Sequence, residues 1–383
     1  MFENLTLPQL QQLWWIIISV IGSLFIFLTF VQGGQSLLSS IARNDLEKSL
    51  VINSLGRKWE ITFTAFVLFG GSLFAAFPLF YATSFGGAYW VWVSIMFTFV
   101  LQGVSFEFRK KPGNLLGSWT YEKFLFLNGT FGILLLGIAL ASFFSGSRFQ
   151  LDDYNQVLWQ HPLRGLEAAL NVFNVALGLF LVFLSRTLGA LYLLNNIDFR
   201  LQLVQDLEKR LRKAVASNLA AALPFLLYFL FSLASREGFA VNPETGEVFM
   251  DSGKYLQNIL AMPIVLFLLV SGLLFIFLGG INSRRPSNTS GIWFSGFGSV
   301  LVALVLFLTA GLNNTAFYPS SFDLNSSLTI SNASSSSYTL TVMSYIALAM
   351  PLVLAYVAYC WRKMDREKLS TGEVSDFRAK EIY

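Results

Sequence analysis

Between Lys58 and Lys111 the chain is almost wholly apolar, broken once by Thr83, Ser84 and the pair Gly86-Gly87, and charged residues close both ends. A helix rising about 1.5 Å per residue needs roughly 20 residues to cross about 30 Å of hydrocarbon. The stretches 61–82 and 86–104 each approach or reach that length. So short a polar break leaves room for a turn and little else, and the pair reads as a membrane hairpin with both charged ends on one side of the bilayer. No soluble globule absorbs such a run. The whole chain is 55% hydrophobic and 13% charged, against a charged fraction of about 25% in soluble domains.

Seven more apolar runs obey the same rule, at 13–31, 124–144, 166–184, 217–235, 256–280, 292–312 and 340–361. The expectation is an all-α integral membrane protein with nine transmembrane helices, forming one polytopic domain over residues 1–383. The first run is too long for a signal-peptide core and lacks a small-x-small cleavage site, so it is expected to stay as a span. Of the 26 Lys and Arg, 22 fall in the alternate segments 32–60, 105–123, 185–216, 281–291 and the tail beyond Trp361. Only Arg148, Arg164, Arg236 and Lys254 fall in the others. The positive-inside rule then makes the first set and the C-terminus cytoplasmic and the N-terminus periplasmic. The same bias accounts for the net charge of +4 without a nucleic-acid partner, because the cations sit in short loops and form no stripe.

The periplasmic loops are expected to be polar. The loop 152–164 reads as irregular with a short helix, Asn242-Pro243-Glu244-Thr245-Gly246 reads as a turn, and 313–338 is a Ser-, Thr- and Asn-rich loop in which Asn325 and Asn332 are solvated residues rather than glycosylation sites. On the cytoplasmic side, 198–215 places Leu203, Leu207 and Leu211 four apart among Lys209, Arg210, Arg212 and Lys213. That is the pattern of an amphipathic helix lying at a basic membrane surface.

An ionisable residue inside a span costs roughly 2.5 to 3.5 kcal/mol on insertion scales and marks a pathway when present. With the spans drawn as above, their centres contain no Asp, Glu, Lys, Arg or His. A transporter of charged solutes keeps such groups at mid-membrane, which leaves a permease of an uncharged solute as the alternative from that class. What the chain offers instead are carboxylates at the cytoplasmic ends: Glu60 beside Trp59, and Glu107 beside Arg109 and Lys110. Gln32 and Gln35 emerge at a similar depth. Glu60 also suits a helix's first turn electrostatically, by roughly 0.3 to 1 kcal/mol, and Glu107 suits a surface ion pair. Haem iron takes axial His, Met, Cys or Tyr. The one histidine, His161, falls in a loop, the one cysteine, Cys360, at the inner rim, and Met96, Met262 and Met350 read as packing. No metal or haem ligand is expected in this chain.

Several segments stand in a fixed order: Trp14-Trp15; Arg43-Asn44-Asp45-Leu46-Glu47 with Ile52-Asn53-Ser54 and Trp59-Glu60; GGSLFAAFPLFYAT at 70–83; GVSFEFR at 103–109; and Pro319-Ser320-Ser321 with Asn325-Ser326-Ser327-Leu328-Thr329 before Thr339-Leu340. Over nearly its whole length the chain thereby resembles subunit II of the cytochrome bd quinol oxidases. The resemblance implies a complex of a bacterial or archaeal cytoplasmic membrane that oxidises quinol at the outer face and reduces dioxygen to water with cytoplasmic protons. It places haems b and d and the quinol-oxidising loop in a partner, subunit I, and admits a small single-helix subunit and membrane lipid or quinone as further partners. Trp59, Arg109, Asn53 and Asp45 match family motif positions, and Glu60 matches an acidic position proposed to feed a proton path.

The departures matter too. The family's Thr-Asp-Gly-Phe-Asp-like end of span one is here Leu28-Thr29-Phe30-Val31-Gln32, so both carboxylates are gone. Gln32 binds water but does not titrate, and the expected proton-path candidates are Glu60, Gln32, Thr29 and Glu107. Thr62 and Ala65 stand where many relatives have Asn and a second Trp, which suggests a wider apolar passage for dioxygen. Gly70, Gly71, Ala75 and Ala76 are expected to form a close helix-packing face.

Overall fold

A computed structural model describes residues 2–111, 113–285 and 288–372; Arg378 and Lys380 of the basic tail lie outside the described residues. Among these it contains nine helices long and apolar enough to cross a membrane. Spans one to nine are Leu7–Ser36, Asp45–Ala76, Tyr89–Phe108, Ser118–Ser145, Val172–Asn196, Gln202–Ser235, Pro263–Asn282, Gly291–Gly311 and Ser337–Met364. Spans one, five and eight form the core, with 72%, 83% and 72% of their most apolar windows buried, whereas span nine buries 11%. The Trp pair explains how the core is tied. Trp15 is fully buried and donates its indole N–H to the carbonyl of Phe307 on span eight at 3.0 Å, while Trp14 donates to Ser344 Oγ at 3.0 Å and so holds span nine.

The loops gather at two ends. At the hairpin end, strands β1 (Phe149–Leu151) and β2 (Val157–Trp159) pair antiparallel, as do β3 (Glu237–Val241) and β4 (Val248–Ser252), with Gly246 at φ +76° in the turn between the latter. The segment expected to be a solvated loop at 313–338 instead plugs this end. Phe317, Tyr318 and Leu328 are buried, the Ser147 N–H donates to the Pro319 carbonyl and the Ser321 N–H to the Ser147 carbonyl, each at 2.9 Å, and Asn332 donates to the Ser327 carbonyl at 3.0 Å. Its serines and asparagines satisfy backbone groups that a buried loop would otherwise leave unpaired.

The opposite, tail end carries the segments 37–58, 109–111, 113–117, 197–201, 283–285, 288–290 and 365–372. Here the helices run further than hydropathy alone predicts. Span five continues from 184 to Asn196, which puts Arg186 inside it. Span six is one helix of 34 residues that absorbs 198–215 almost entirely. No breaker stands between Val215 and Leu219, and Val204, Leu207 and Leu211 are buried in protein, whereas Leu201 and Leu203 near its start are exposed, at 51% and 73%. Its apolar stripe faces the bundle rather than a lipid surface. Span two ends early, at Ala76, because Pro78 offers no N–H and forces Phe77 out of the helical region. A single π-helical turn, Ala82–Gly87, then closes the hairpin.

Candidate functional site

Span two is built from two helices, Asp45–Gly56 and Trp59–Ala76, joined at Arg57-Lys58. Glu60 lies in the first turn of the second and points away from the bundle; it is exposed and makes no hydrogen bond or ion pair among the described residues. It begins a stripe of exposed residues through Thr64, Leu68, Gly71 and Phe74. Trp59 turns the other way and stacks on Phe106 of span three at 6.1 Å, its indole N–H buried without an acceptor. Glu107 stays at the surface, 3.9 Å from Lys111. Arg109 does not pair with Glu107. It is buried and reaches Glu122 of span four at 2.7 Å, where Lys48 also arrives at 2.9 Å. Asp45 is exposed, and Asn53 is held by its own helix through the Ser49 carbonyl at 2.8 Å.

The polar residues closing span one meet others that sequence reading did not single out. Gln32 donates to Gln102 Oε1 at 3.2 Å, Gln102 to Gln35 Oε1 at 2.8 Å, Gln35 to Asn128 Oδ1 at 2.7 Å, and Asn128 to Thr98 Oγ1 at 3.2 Å. All five are buried, and the ladder crosses spans one, three and four. Thr29, at the kink of span one, is occupied by the Ile26 carbonyl at 2.6 Å. Asn128 opens a π-helical stretch, Asn128–Gly132, an irregularity frequent at functional positions. Gln32 Oε1 ends the ladder as a buried acceptor without a donor. It and the orphan indole of Trp59 both adjoin the Gln102–Phe106 turn of span three. Buried polar groups of this kind are ordinarily satisfied by water.

Besides Arg109 with Glu122, two more buried ion pairs brace this end. Lys58 is fully buried, donates to Asp365 Oδ1 at 2.8 Å and lies 5.1 Å from the centre of the Trp361 ring. Glu47, also buried, accepts from Arg210 at 2.6 Å and from the Arg43 backbone N–H at 2.6 Å, while Asn44 caps the helix by accepting from the Glu47 N–H. Neither pairing is readable from sequence, since 307 and 163 positions separate the partners. Arg186, expected in a loop beyond a span ending at 184, lies inside the helix Val172–Asn196; the apolar run that resumes from Leu188 to Leu194 is the signal that marks it.

At mid-bundle an apolar cavity of about 40 Å³ is lined by Phe25, Phe66, Phe69, Trp92, Phe143 and Phe307 among others. Thr62 is buried but donates to the Leu28 carbonyl at 3.2 Å, so it fills the space expected of a passage there, and the cavity begins at Phe66, one turn beyond. Gly70 and Gly71 do not pack closely: a Cβ at Gly71 would meet nothing within 4 Å. Among the described residues no three His, Cys, Asp or Glu stand together as a metal site. His161 sits in the loop at the hairpin end, its Nδ1 accepting from the Leu163 N–H at 3.2 Å. This donor set does not fit a buried haem.

A bundle of nine candidate spans among the described residues, crossed by a buried amide ladder and with its Lys and Arg ion pairs gathered at one end, is a polytopic membrane subunit. Its closest chemistry lies at an unpaired carboxylate on an outward face. The chain belongs to the cytochrome bd terminal oxidase subunit II family, whose profile matches residues 10–364. It is 28% identical over 369 residues to the cytochrome bd-I ubiquinol oxidase subunit 2 of Escherichia coli K12, covering 93% of this chain and 94% of the relative. It is 25% identical over 371 residues to the cytochrome bd ubiquinol oxidase subunit 2 of Bacillus subtilis 168, covering 94% and 98%. A chain in the solved structure of the bd oxidase from Geobacillus thermodenitrificans has the same fold, with a TM-score of 0.59 at 12% identity over 94% of this chain and 98% of that one. The protein is therefore a bacterial membrane subunit of a respiratory oxidase, which displaces the permease alternative, and membership implies a subunit I partner.

Proposed function

We propose that this chain is the haem-free half of a quinol-oxidising, dioxygen-reducing complex. In this reading subunit I carries haems b and d, and this chain braces it and supplies protons from the cytoplasm. The tail end is cytoplasmic, as the distribution of Lys and Arg requires. Subunit I docks on the exposed hairpin stripe of spans two and three, where Val67, Phe74, Val93 and Phe97 are each more than half exposed. The observation that carries the proton role is Glu60 itself. It is unpaired and stands at the start of that stripe, whereas Glu47, Glu122 and Asp365 are spent on buried cations. The amide ladder does not relay protons, because amides do not titrate and these are engaged with one another. Its open end at Gln32 and the Trp59 indole suit an ordered water in the interior, on the side of span two away from Glu60, so the proposed route starts at Glu60 on the outward face and runs along the subunit boundary. The apolar cavity has room for about one small molecule and would store dioxygen, which partitions into hydrocarbon.

The test is turnover. Glu60→Gln in the assembled oxidase is expected to slow quinol-driven oxygen consumption by about tenfold or more, in line with the loss of a positioned proton carrier, and to leave the haem spectrum unchanged. Turnover equal to wild type across pH would reduce Glu60 to a helix-terminal charge. Expressed without subunit I, the chain is expected to purify colourless. A stoichiometric Soret band in that preparation would refute the assignment of both haems to the partner.

A further inference from the structure

We propose that Arg186 anchors the phosphate of a membrane phospholipid in the groove between spans four, five and six. Between Phe180 and Leu194 only Phe183 and Arg186 escape full burial, so both lie on the outward stripe of span five that also carries Val175 and Leu179. The guanidinium donates from Nε to Ser36 Oγ at 3.0 Å and from Nη2 to Thr130 Oγ1 at 2.9 Å. The rings of Phe126 and Phe183 stand 5.9 Å away on either side, and Phe183 stacks on Phe225 of span six. Both hydrogen bonds go to neutral hydroxyls, and no carboxylate among the described residues pairs with it. An arginine on a lipid-facing stripe, desolvated and uncompensated, requires an anion from outside the chain. Span four exposes Phe126, Leu127 and Phe131 by 39 to 42%, an apolar surface next to the guanidinium. One turn from Phe126, Lys123 lies over the Trp119 ring at 5.2 Å and adds a second cation toward the membrane surface. A charged phosphate carrying acyl chains matches both the cations and the apolar surface.

The test uses the assembled oxidase, delipidated in maltoside detergent and titrated with phosphatidylglycerol while thermal unfolding is followed. Phosphatidylglycerol is expected to raise the midpoint of the wild type. Arg186→Gln, whose amide ends where Nε stands and so can still reach Ser36 but not Thr130, is expected to shift half-saturation about tenfold or more upward, with Arg186→Lys between them. Inorganic phosphate is expected to move none of the three, which separates a lipid site from a phosphate site. Before lipid is added, Arg186→Gln should be at least as stable as wild type, since it removes an uncompensated cation. Equal responses to phosphatidylglycerol in wild type and Arg186→Gln would overturn the proposal. So would a loss of stability in the variant that is the same with and without lipid, which would mark a purely structural arginine.

Discussion

Asp365→Ala is expected to destabilise the protein by about 3 to 5 kcal/mol, the cost of stranding a buried charge. Lys58 has no exposed surface, and besides Asp365 its ammonium meets the Met364 sulfur at 3.7 Å and the face of Trp361. The same carboxylate oxygen also accepts from Asn196 Nδ2 at 3.0 Å, and Asn196 accepts from Ser54 at 2.7 Å. Removing it thus opens a chain of contacts joining spans two, five and nine. Past Asp365 the backbone follows, with Leu369 buried and its N–H donated to the Asn196 carbonyl at 2.8 Å. Span nine buries little else, so the loss should appear first as detachment of its tail end. Heating the detergent-solubilised complex and following its monodispersity measures the effect. The double change Lys58→Met with Asp365→Leu is expected to recover most of the lost stability, because a packed apolar pair carries no desolvation penalty. A single variant as stable as wild type would mean that water reaches Lys58.

The contrast between what was legible and what was not has a physical basis. Hydrophobic length is local, and a span announces itself within twenty or so residues, so nine runs and the alternation of their basic loops could be read directly. Pairing is not local. Lys58 and Glu47 look like ordinary loop cations and anions of a basic, cytoplasm-facing segment, yet both are buried by partners from distant stretches. Arg109 beside Glu107 invites a neighbouring pair, but positions two apart on a helix point to opposite sides, and Glu122 takes the guanidinium. Gln102 and Asn128 sit among apolar residues with nothing to distinguish them from solitary polar residues packed against their own helix. Only the crossing of spans one, three and four turns them into a ladder. The match to the family profile ends at 364, one residue before the carboxylate that holds the last helix.

Gly33→Ala and Gly189→Ala are expected to cost about 3 kcal/mol or more each, the upper end for overpacking, because the atoms they strike cannot yield. A Cβ at Gly33 would overlap the carbonyl of Ser185, and one at Gly189 would overlap the backbone of Gly34. These are contacts of main chain on main chain, where no rotamer change relieves the clash. Span five would have to move off the kinked end of span one, carrying with it Arg186, its bond to Ser36, and the ladder that begins at Gln32. Gly137 and Gly178 make a second such crossing between spans four and five, with the added Cβ only 2.5 Å from the facing Cα. Close approach of this kind is how helices gain packing in a solvent as apolar as themselves. Gly71→Ala is expected to leave the fold intact or stabilise it slightly, since the site is open and alanine favours helix by about 1 kcal/mol. Small residues at helical spacing mark a candidate face, but which face is closed depends on where the neighbouring helix lies. Yield and thermal midpoint of the three variants, each assembled with subunit I, separate the cases: Gly71→Ala as damaging as Gly33→Ala would show that the exposed stripe of span two meets another backbone in the complex.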